Sequence, residues 1–149
     1  SDGVTSLLAA FIVASNLQFL SLGENNIGDS GACAIASFLY KFPNLQDLIL
    51  VSNGIGNEGA EMLATTLHCI PNLLRMDLDR NNIGSRGATA LAQHLGDVGH
   101  LQVLSMNSNA IGDSGAQSLF DALFEERVPH LQHLNLAVSP RDLPDLHQK

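Results

Sequence analysis

The chain has 149 residues, of which 45% are apolar, and its 15 acidic and 7 basic residues give a formal net charge of −8. This excess of negative charge repels phosphate backbones and argues against a nucleic-acid partner, whereas a protein with a basic or mixed surface suits it. No apolar run reaches the roughly 18 residues that a membrane-spanning helix needs, so the sequence predicts no membrane partner.

One pattern recurs along the chain at a fixed interval of 28 residues. Its copies begin at Leu17, Leu45, Leu73 and Leu101, and the asparagines that follow keep the same step: Asn25, Asn53, Asn81 and Asn109. A period in this range is typical of a solenoid, in which each unit packs only on its neighbours. The sequence therefore predicts a repeat domain over residues 1–139.

Residues 3–16 correspond to half a repeat, with a helix but without a strand before it. One interpretation is a helix that caps the end of the stack. The other follows from its outer positions Ile12 and Val13, which are unusually apolar and would suit packing against further chain upstream. The sequence leaves both open.

Each full unit begins with L-x-x-L-x-L, which predicts a short strand with alternating buried and solvent-facing residues. The asparagine after it lies where the chain turns, and the stacked asparagines are expected to satisfy backbone groups of the turn and of the next unit. A helix of about 12 residues follows, and equivalent polar residues are predicted to cap it: Asp29, Asn57, Ser85 and Asp113. The small residues after them are predicted to let the helix approach the strand: Ala32, Ala60, Ala88 and Ala116.

The fourth unit is 30 residues long, because a last strand begins at Leu131. Beyond this strand the asparagine position holds Ser139, and Pro140 follows. Proline removes a backbone donor and does not continue a regular element. The sequence therefore predicts a terminal strand from residue 131 and a C-terminal tail over residues 140–149.

Over residues 45–67 the chain reads L-x-x-L-x-L-x-x-N-x-I-G-x-x-G-A-x-x-L-A-x-x-L. This pattern resembles the ribonuclease-inhibitor-like class of leucine-rich repeat proteins. The resemblance implies an α/β solenoid with the arc of a horseshoe, in which a parallel sheet of about five strands lines the concave face and helices form the convex face. It also implies protein recognition, because relatives in this class include the ribonuclease inhibitor, nucleotide-binding immune receptors, tropomodulin and the Ran GTPase-activating protein.

No pattern in the sequence indicates a catalytic residue, a cofactor or a metal ion. Two Gly-Asp-Ser-Gly segments, 28–31 and 112–115, match the surroundings of a serine-protease nucleophile, but both lie at the turn into the helix of a repeat. His130 and His133 flank a strand start, where alternation points side chains apart, and they lack cysteine or carboxylate partners at ligand spacing. No phosphate-binding loop or nucleophile elbow is present.

The variable, outward positions of the strands are the candidate binding surface. They combine an apolar corner around Phe19 with a charged one around Asp77, which is typical of a binding patch. The predicted concave set is Phe19, Ser21, Asp47, Ile49, Val51, Arg75, Asp77, Asp79, Arg80, Val103, Ser105, Asn107, His133 and Asn135. The alternative to a binding patch is a purely structural role for these residues. In that case the β-branched residues are present only because they favour strand structure, and Arg75 and Arg80 only pair with Asp77 and Asp79.

We therefore expect a non-enzymatic module that binds another protein through its concave face. One alternative is a segment of a longer scaffold solenoid, whose apolar ends would also support self-association. Another is a GTPase activator of the Ran type, for which the basic candidates are Arg75, Arg80 and Arg86. Two cysteines at non-equivalent repeat positions, Cys33 and Cys69, suit a reducing compartment, so a cytoplasmic location is expected.

Overall fold

The structure is a computed structural model that describes residues 16–136. Five short strands form one parallel sheet in sequential order: β1 Phe19–Ser21, β2 Asp47–Ile49, β3 Arg75–Asp77, β4 Val103–Ser105 and β5 His133–Asn135. Each strand pairs with the next at the repeat step, so that Leu20 lies beside Leu48 and Leu48 beside Met76. The predicted α/β solenoid with five strands is confirmed.

Four helices connect these strands: α1 Gly28–Phe38, α2 Asn57–Thr65, α3 Ser85–His94 and α4 Gly112–Phe124. A turn of 3-10 helix follows each of the first three, at Leu39–Lys41, Leu67–Cys69 and Leu95–Val98. All but the last residue of the predicted half-repeat over residues 3–16, and the whole tail over residues 140–149, lie outside the described residues. Within residues 16–136 no helix is long and apolar enough to cross a membrane.

The core lies between the sheet and the helices, and each unit contributes the same positions to it. In the second unit Leu48, Leu50 and Ile55 from the strand side meet Leu63 and Leu67 from the helix side, and all five are fully buried. Burial of each such side chain stabilises the fold by about 1.5–3 kcal/mol. The sheet face turned away from this core is the concave face.

The stacked asparagines join each unit to the unit before it. The Asn81 Oδ1 accepts the backbone N–H groups of Asn53 at 3.1 Å and Ile55 at 3.0 Å, and its Nδ2 donates to the carbonyls of Leu50 and Leu78. The prediction had these side chains bonding the turn and the next unit, and they bond the turn and the preceding unit. Asn25, in the first described unit, is exposed, and its Nδ2 donates to the carbonyls of its own turn.

None of the four predicted caps bonds the N-terminus of its own helix, so that prediction is wrong, and two of them bond the N-terminus of the next helix instead. Asp29 Oδ1 accepts the N–H groups of Gly56 at 2.6 Å and Gly59 at 2.9 Å, at the start of α2. Asn57 Oδ1 accepts from Gly84 at 2.9 Å and Gly87 at 2.8 Å in the same way. The reason is geometric: these side chains already lie in the first turn of their own helices, and the next helix N-terminus is within their reach.

The small residues of the helices bring neighbouring helices together. A Cβ added to Gly59 would lie 2.8 Å from the Cβ of Ala32, and one added to Gly87 would lie 3.0 Å from that of Ala60. These alanines therefore pack against the next helix, and their predicted role in the approach of helix to strand stays a prediction. They set the distance between one helix and the next.

Candidate functional site

The register of the parallel sheet arranges the predicted concave residues in rows that cross all five strands. The first row runs Phe19, Asp47, Arg75, Val103 and His133, and the second runs Ser21, Ile49, Asp77, Ser105 and Asn135. Neighbours within a row are about 4.8 Å apart. Backbone hydrogen bonds continue past the strands, for example from Ser52 N–H to the Asp79 carbonyl, and this places Val51, Asp79 and Asn107 in a third row.

The predicted residues differ widely in exposure. Phe19 is 59% exposed, and five further residues are also exposed: Ser21, Arg75, Arg80, His133 and Asn135. Asp47, Ile49, Val51, Asp79, Val103 and Asn107 are half-buried. Asp77 and Ser105 lie in the middle of the sheet and are only 7% and 6% exposed. These two side chains therefore offer little surface to a partner, and their predicted part in binding stays a prediction.

Polar contacts hold the charged part of the concave face in place. The Arg75 guanidinium donates to Asp77 Oδ2 at 3.0 Å, and Asp77 Oδ1 accepts the backbone N–H of Asp79 at 3.2 Å. Asp79 accepts from the next unit, from Asn107 N–H at 2.7 Å and its Nδ2 at 3.1 Å. The alternative with two arginine–aspartate pairs is thus half right: Arg75 pairs with Asp77, but the partner of Asp79 is Asn107.

Arg80 has a different position from Arg75. It lies in the turn before Asn81 with a φ of +55°, in the left-handed region, and it is exposed. None of the four ion pairs within residues 16–136 involves it. Its guanidinium is therefore the more available of the two predicted concave arginines.

The three basic candidates for a GTPase activator do not come together. Arg75 is held by Asp77 on the sheet, whereas Arg86 lies on the helical side and forms an ion pair with Glu61 of the preceding repeat. An arginine paired with a carboxylate is partly neutralised and less free to reach a phosphate. The described residues do not assemble a basic cluster from this set.

The histidines form a ring contact. His100 and His130 stack with their ring centroids 5.7 Å apart and their planes 15° apart. Metal binding requires ring nitrogens that point towards a shared position. Parallel stacked rings direct their nitrogens sideways instead. Within residues 16–136 no group of three metal-binding side chains is present.

Sequence reasoning missed the surfaces outside the sheet. A shallow groove runs along the edge where the strands begin, lined by Gln18, Asn44, Gln46, Asn72, Leu74 and His100. The last helix, α4, also exposes Phe120 and Phe124. Comparison of each helical position with its equivalent one repeat earlier would have found Phe120, because alanine occupies its position in each of the three preceding full repeats.

Comparisons with known proteins agree with this architecture. A family model described as "Leucine Rich repeat" matches residues 13–36, 43–64, 70–92 and 100–120, together more than half of the chain. A search of curated proteins found no significant match. Among solved structures the chain is similar to one titled "Leiomodin-1 Actin-Binding Site 2 (ABS2)", with 13% identity, a TM-score of 0.69, and coverage of 89% of this chain and 78% of that chain. At this identity the likeness shows the fold alone.

Proposed function

Since this chain belongs to the leucine-rich repeat family, we propose that it is a non-enzymatic protein-interaction module of the ribonuclease-inhibitor-like type, which binds a partner protein through its concave face. The observation that carries this proposal is an exposed aromatic ring, Phe19, on the same rigid sheet as an ordered charged network around Asp77. We assign the repeat domain to residues 1–139 and a tail to residues 140–149. We also propose a cytoplasmic location.

Preorganisation supports binding at this face. The side chains stand on hydrogen-bonded strands, and Arg75 and Asp79 are each fixed by a neighbouring side chain. A surface that is already ordered loses little conformational entropy when a partner docks. The contact between Asp79 and Asn107 also spans two repeats, so the orientation of one unit supports that of the next.

The composition of the face indicates the chemistry of the partner. Phe19, with half-buried Ile49 and Val51, would receive an apolar group, and aromatic anchors are common among the residues that dominate binding energy. Asp47 and Asp79 favour a basic counterpart, and Arg80 favours an acidic or carbonyl one. A partner with a basic or mixed surface fits this pattern. The similar solved domain is titled an actin-binding site, which supports protein binding as the class of function.

The test compares two concave variants with a matched convex variant. Phe19→Ser and Arg80→Glu alter exposed side chains, so both variants should fold, whereas a charge reversal of Asp77 would break buried contacts and is unsuitable. Arg86→Glu reverses an exposed charge on the helical side and serves as the control. Each protein is used to capture partners from a lysate, with thermal melting as a check on folding.

We expect at least one captured protein to be lost from both concave variants and retained by Arg86→Glu. Purified in isolation, that protein should bind each concave variant roughly tenfold more weakly than wild type, as the loss of one interface anchor of about 1.4 kcal/mol would give. Retention of every captured protein by both concave variants would overturn the assignment to the concave face.

A further inference from the structure

The last described helix, α4, breaks a pattern that the first three helices share. Each of those carries two alanines four residues apart on the side that packs against the next helix: Ala32 and Ala36, Ala60 and Ala64, Ala88 and Ala92. All six are at most 3% exposed. In α4 the equivalent residues are Ala116 and Phe120.

The replacement of alanine by Phe120 matters because the helices lie so close together. A Cβ on Gly115 would already lie 3.0 Å from the Cβ of Ala88 in the preceding helix. A further helix at the same spacing beyond α4 would run into the ring of Phe120, and such overpacking is destabilising. The side of α4 is therefore unsuited to another repeat of the same geometry.

The side of α4 also leaves a large apolar area in solvent. Phe120 is 55% exposed, and Phe124, one helical turn further on, is 92% exposed. Residues four apart lie on one side of a helix, so the two rings are neighbours. A fully covered aromatic side chain buries about 150–250 Å², so this partly exposed pair offers roughly 300 Å² of apolar surface, which is in the size range of patches with a function.

The helix that carries these rings is acidic, although two of the carboxylates, Asp121 and Glu125, line the groove towards α3. Asp113, Asp121, Glu125 and Glu126 are all exposed on α4 and the turn after it, and the basic residue of this segment, Arg127, is ion-paired with Glu125. The segment 112–127 thus holds four carboxylates and one guanidinium. An apolar pair on an acidic helix complements an apolar stripe that is flanked by basic residues.

We propose that the side of α4 formed by Ala116, Phe120 and Phe124, the phenylalanine face, is a second docking surface, and that its occupant is an amphipathic helical segment of a partner protein with lysine or arginine beside its apolar stripe. Such a segment lays its apolar residues at helical spacing on exposed hydrophobic side chains. The proposal does not depend on the concave-face function, because it uses residues of the helical layer only. A module with both surfaces could hold two partners at once.

The chain has no tryptophan, which provides a clean assay. The probe is a synthetic amphipathic peptide of leucine and lysine with one tryptophan on its apolar stripe, titrated with the full chain and followed by tryptophan emission. Its match is a peptide of the same pattern with glutamate in place of lysine. Phe124→Ser tests the phenylalanine face. Phe19→Ser is the control, because it makes the same phenylalanine-to-serine change on the concave face.

We expect the lysine peptide to bind the wild-type chain at least tenfold more tightly than the glutamate peptide. Phe124→Ser should weaken binding of the lysine peptide at least tenfold, and Phe19→Ser should leave it within twofold. Phe124 is almost fully exposed, so its substitution should not disturb the fold. Equal binding of both peptides, or no effect of Phe124→Ser, would overturn the proposal.

Two other occupants would give distinct results. If the full chain with Leu143→Ser and Leu146→Ser in its tail binds the lysine peptide at least tenfold more tightly than wild type, the chain's own tail is the occupant. If sedimentation shows a dimer of wild type that Phe124→Ser dissociates, the occupant is a second copy. Either result would overturn the assignment to a partner segment.

Discussion

Replacement of Asn81 by alanine tests the asparagine column as the main polar connection between repeats. Asn81 is 5% exposed, its Oδ1 accepts from two backbone N–H groups, and its Nδ2 donates to the carbonyls of Leu50, Leu78 and Asp79. Alanine removes all of these bonds at once. Two N–H groups of the preceding turn then remain buried without their acceptor.

The expected loss of stability follows from these groups. A buried donor or acceptor left without its partner costs about 1–3 kcal/mol. The two unpaired N–H groups, together with the weaker loss at the carbonyls, therefore predict a decrease of about 3–5 kcal/mol in the free energy of unfolding. Asn25→Ala is the matched control, because Asn25 is exposed at the first described unit and its Nδ2 bonds lie within its own turn. Water can replace those bonds, so the control should lose about 1 kcal/mol or less.

Urea unfolding followed by circular dichroism measures the difference. With a slope of about 2 kcal/mol per molar urea, Asn81→Ala should lower the midpoint by about 2 M and Asn25→Ala by less than about 0.5 M. A similar shift in the two variants would refute the argument, because it would mean that the buried bonds between repeats contribute no more than the exposed ones within a turn.

Three further outcomes are expected. Gly59→Ala should lower stability by about 1–3 kcal/mol, because its new Cβ overlaps the neighbouring repeat. Gly96→Ala is the control and should be close to neutral, because the nearest atom to its new Cβ is 3.8 Å away. Equal melting temperatures of the two variants would contradict this. Asp29→Ala should lower the free energy of unfolding by about 1–2 kcal/mol, because it uncaps the next helix. Asp29→Asn should retain most of that stability, since the amide of Asn57 serves the same role one repeat later. An equally large loss in Asp29→Asn would contradict this account of the cap. Burial, and secondly nearby carboxylates, raise the pKa of the Cys33 thiol. In the variant Cys69→Ser, alkylation of Cys33 should therefore reach half its maximal rate at a higher pH in the folded chain than in the urea-unfolded chain. Coincident pH profiles of the folded and unfolded chains would argue against this environment.

The predicted binding surface shows how far sequence reasoning reaches for a repeat protein. The repeat step assigned Phe19, Asp77 and Arg80 to the concave region from their positions in the unit. It could not distinguish their exposure, which depends on the residues in the adjacent strands. Arg80 is exposed in a left-handed turn, and Asp77 is covered. Whether these residues bind a partner stays a prediction.

The repeat pattern predicts the strands, their parallel order and the leucine positions of the core, because a step of 28 residues places each leucine beside its equivalent in the next unit. The contacts that cross between units depend instead on how neighbouring units are offset in space, which the repeat pattern does not give. Asp29 looks like the cap of its own helix in the sequence, yet it binds the next one, because the offset between neighbouring helices brings that N-terminus within its reach. Phe120 likewise acquires meaning only from the close spacing of the helices before it, since that spacing makes an ordinary phenylalanine too large for another repeat.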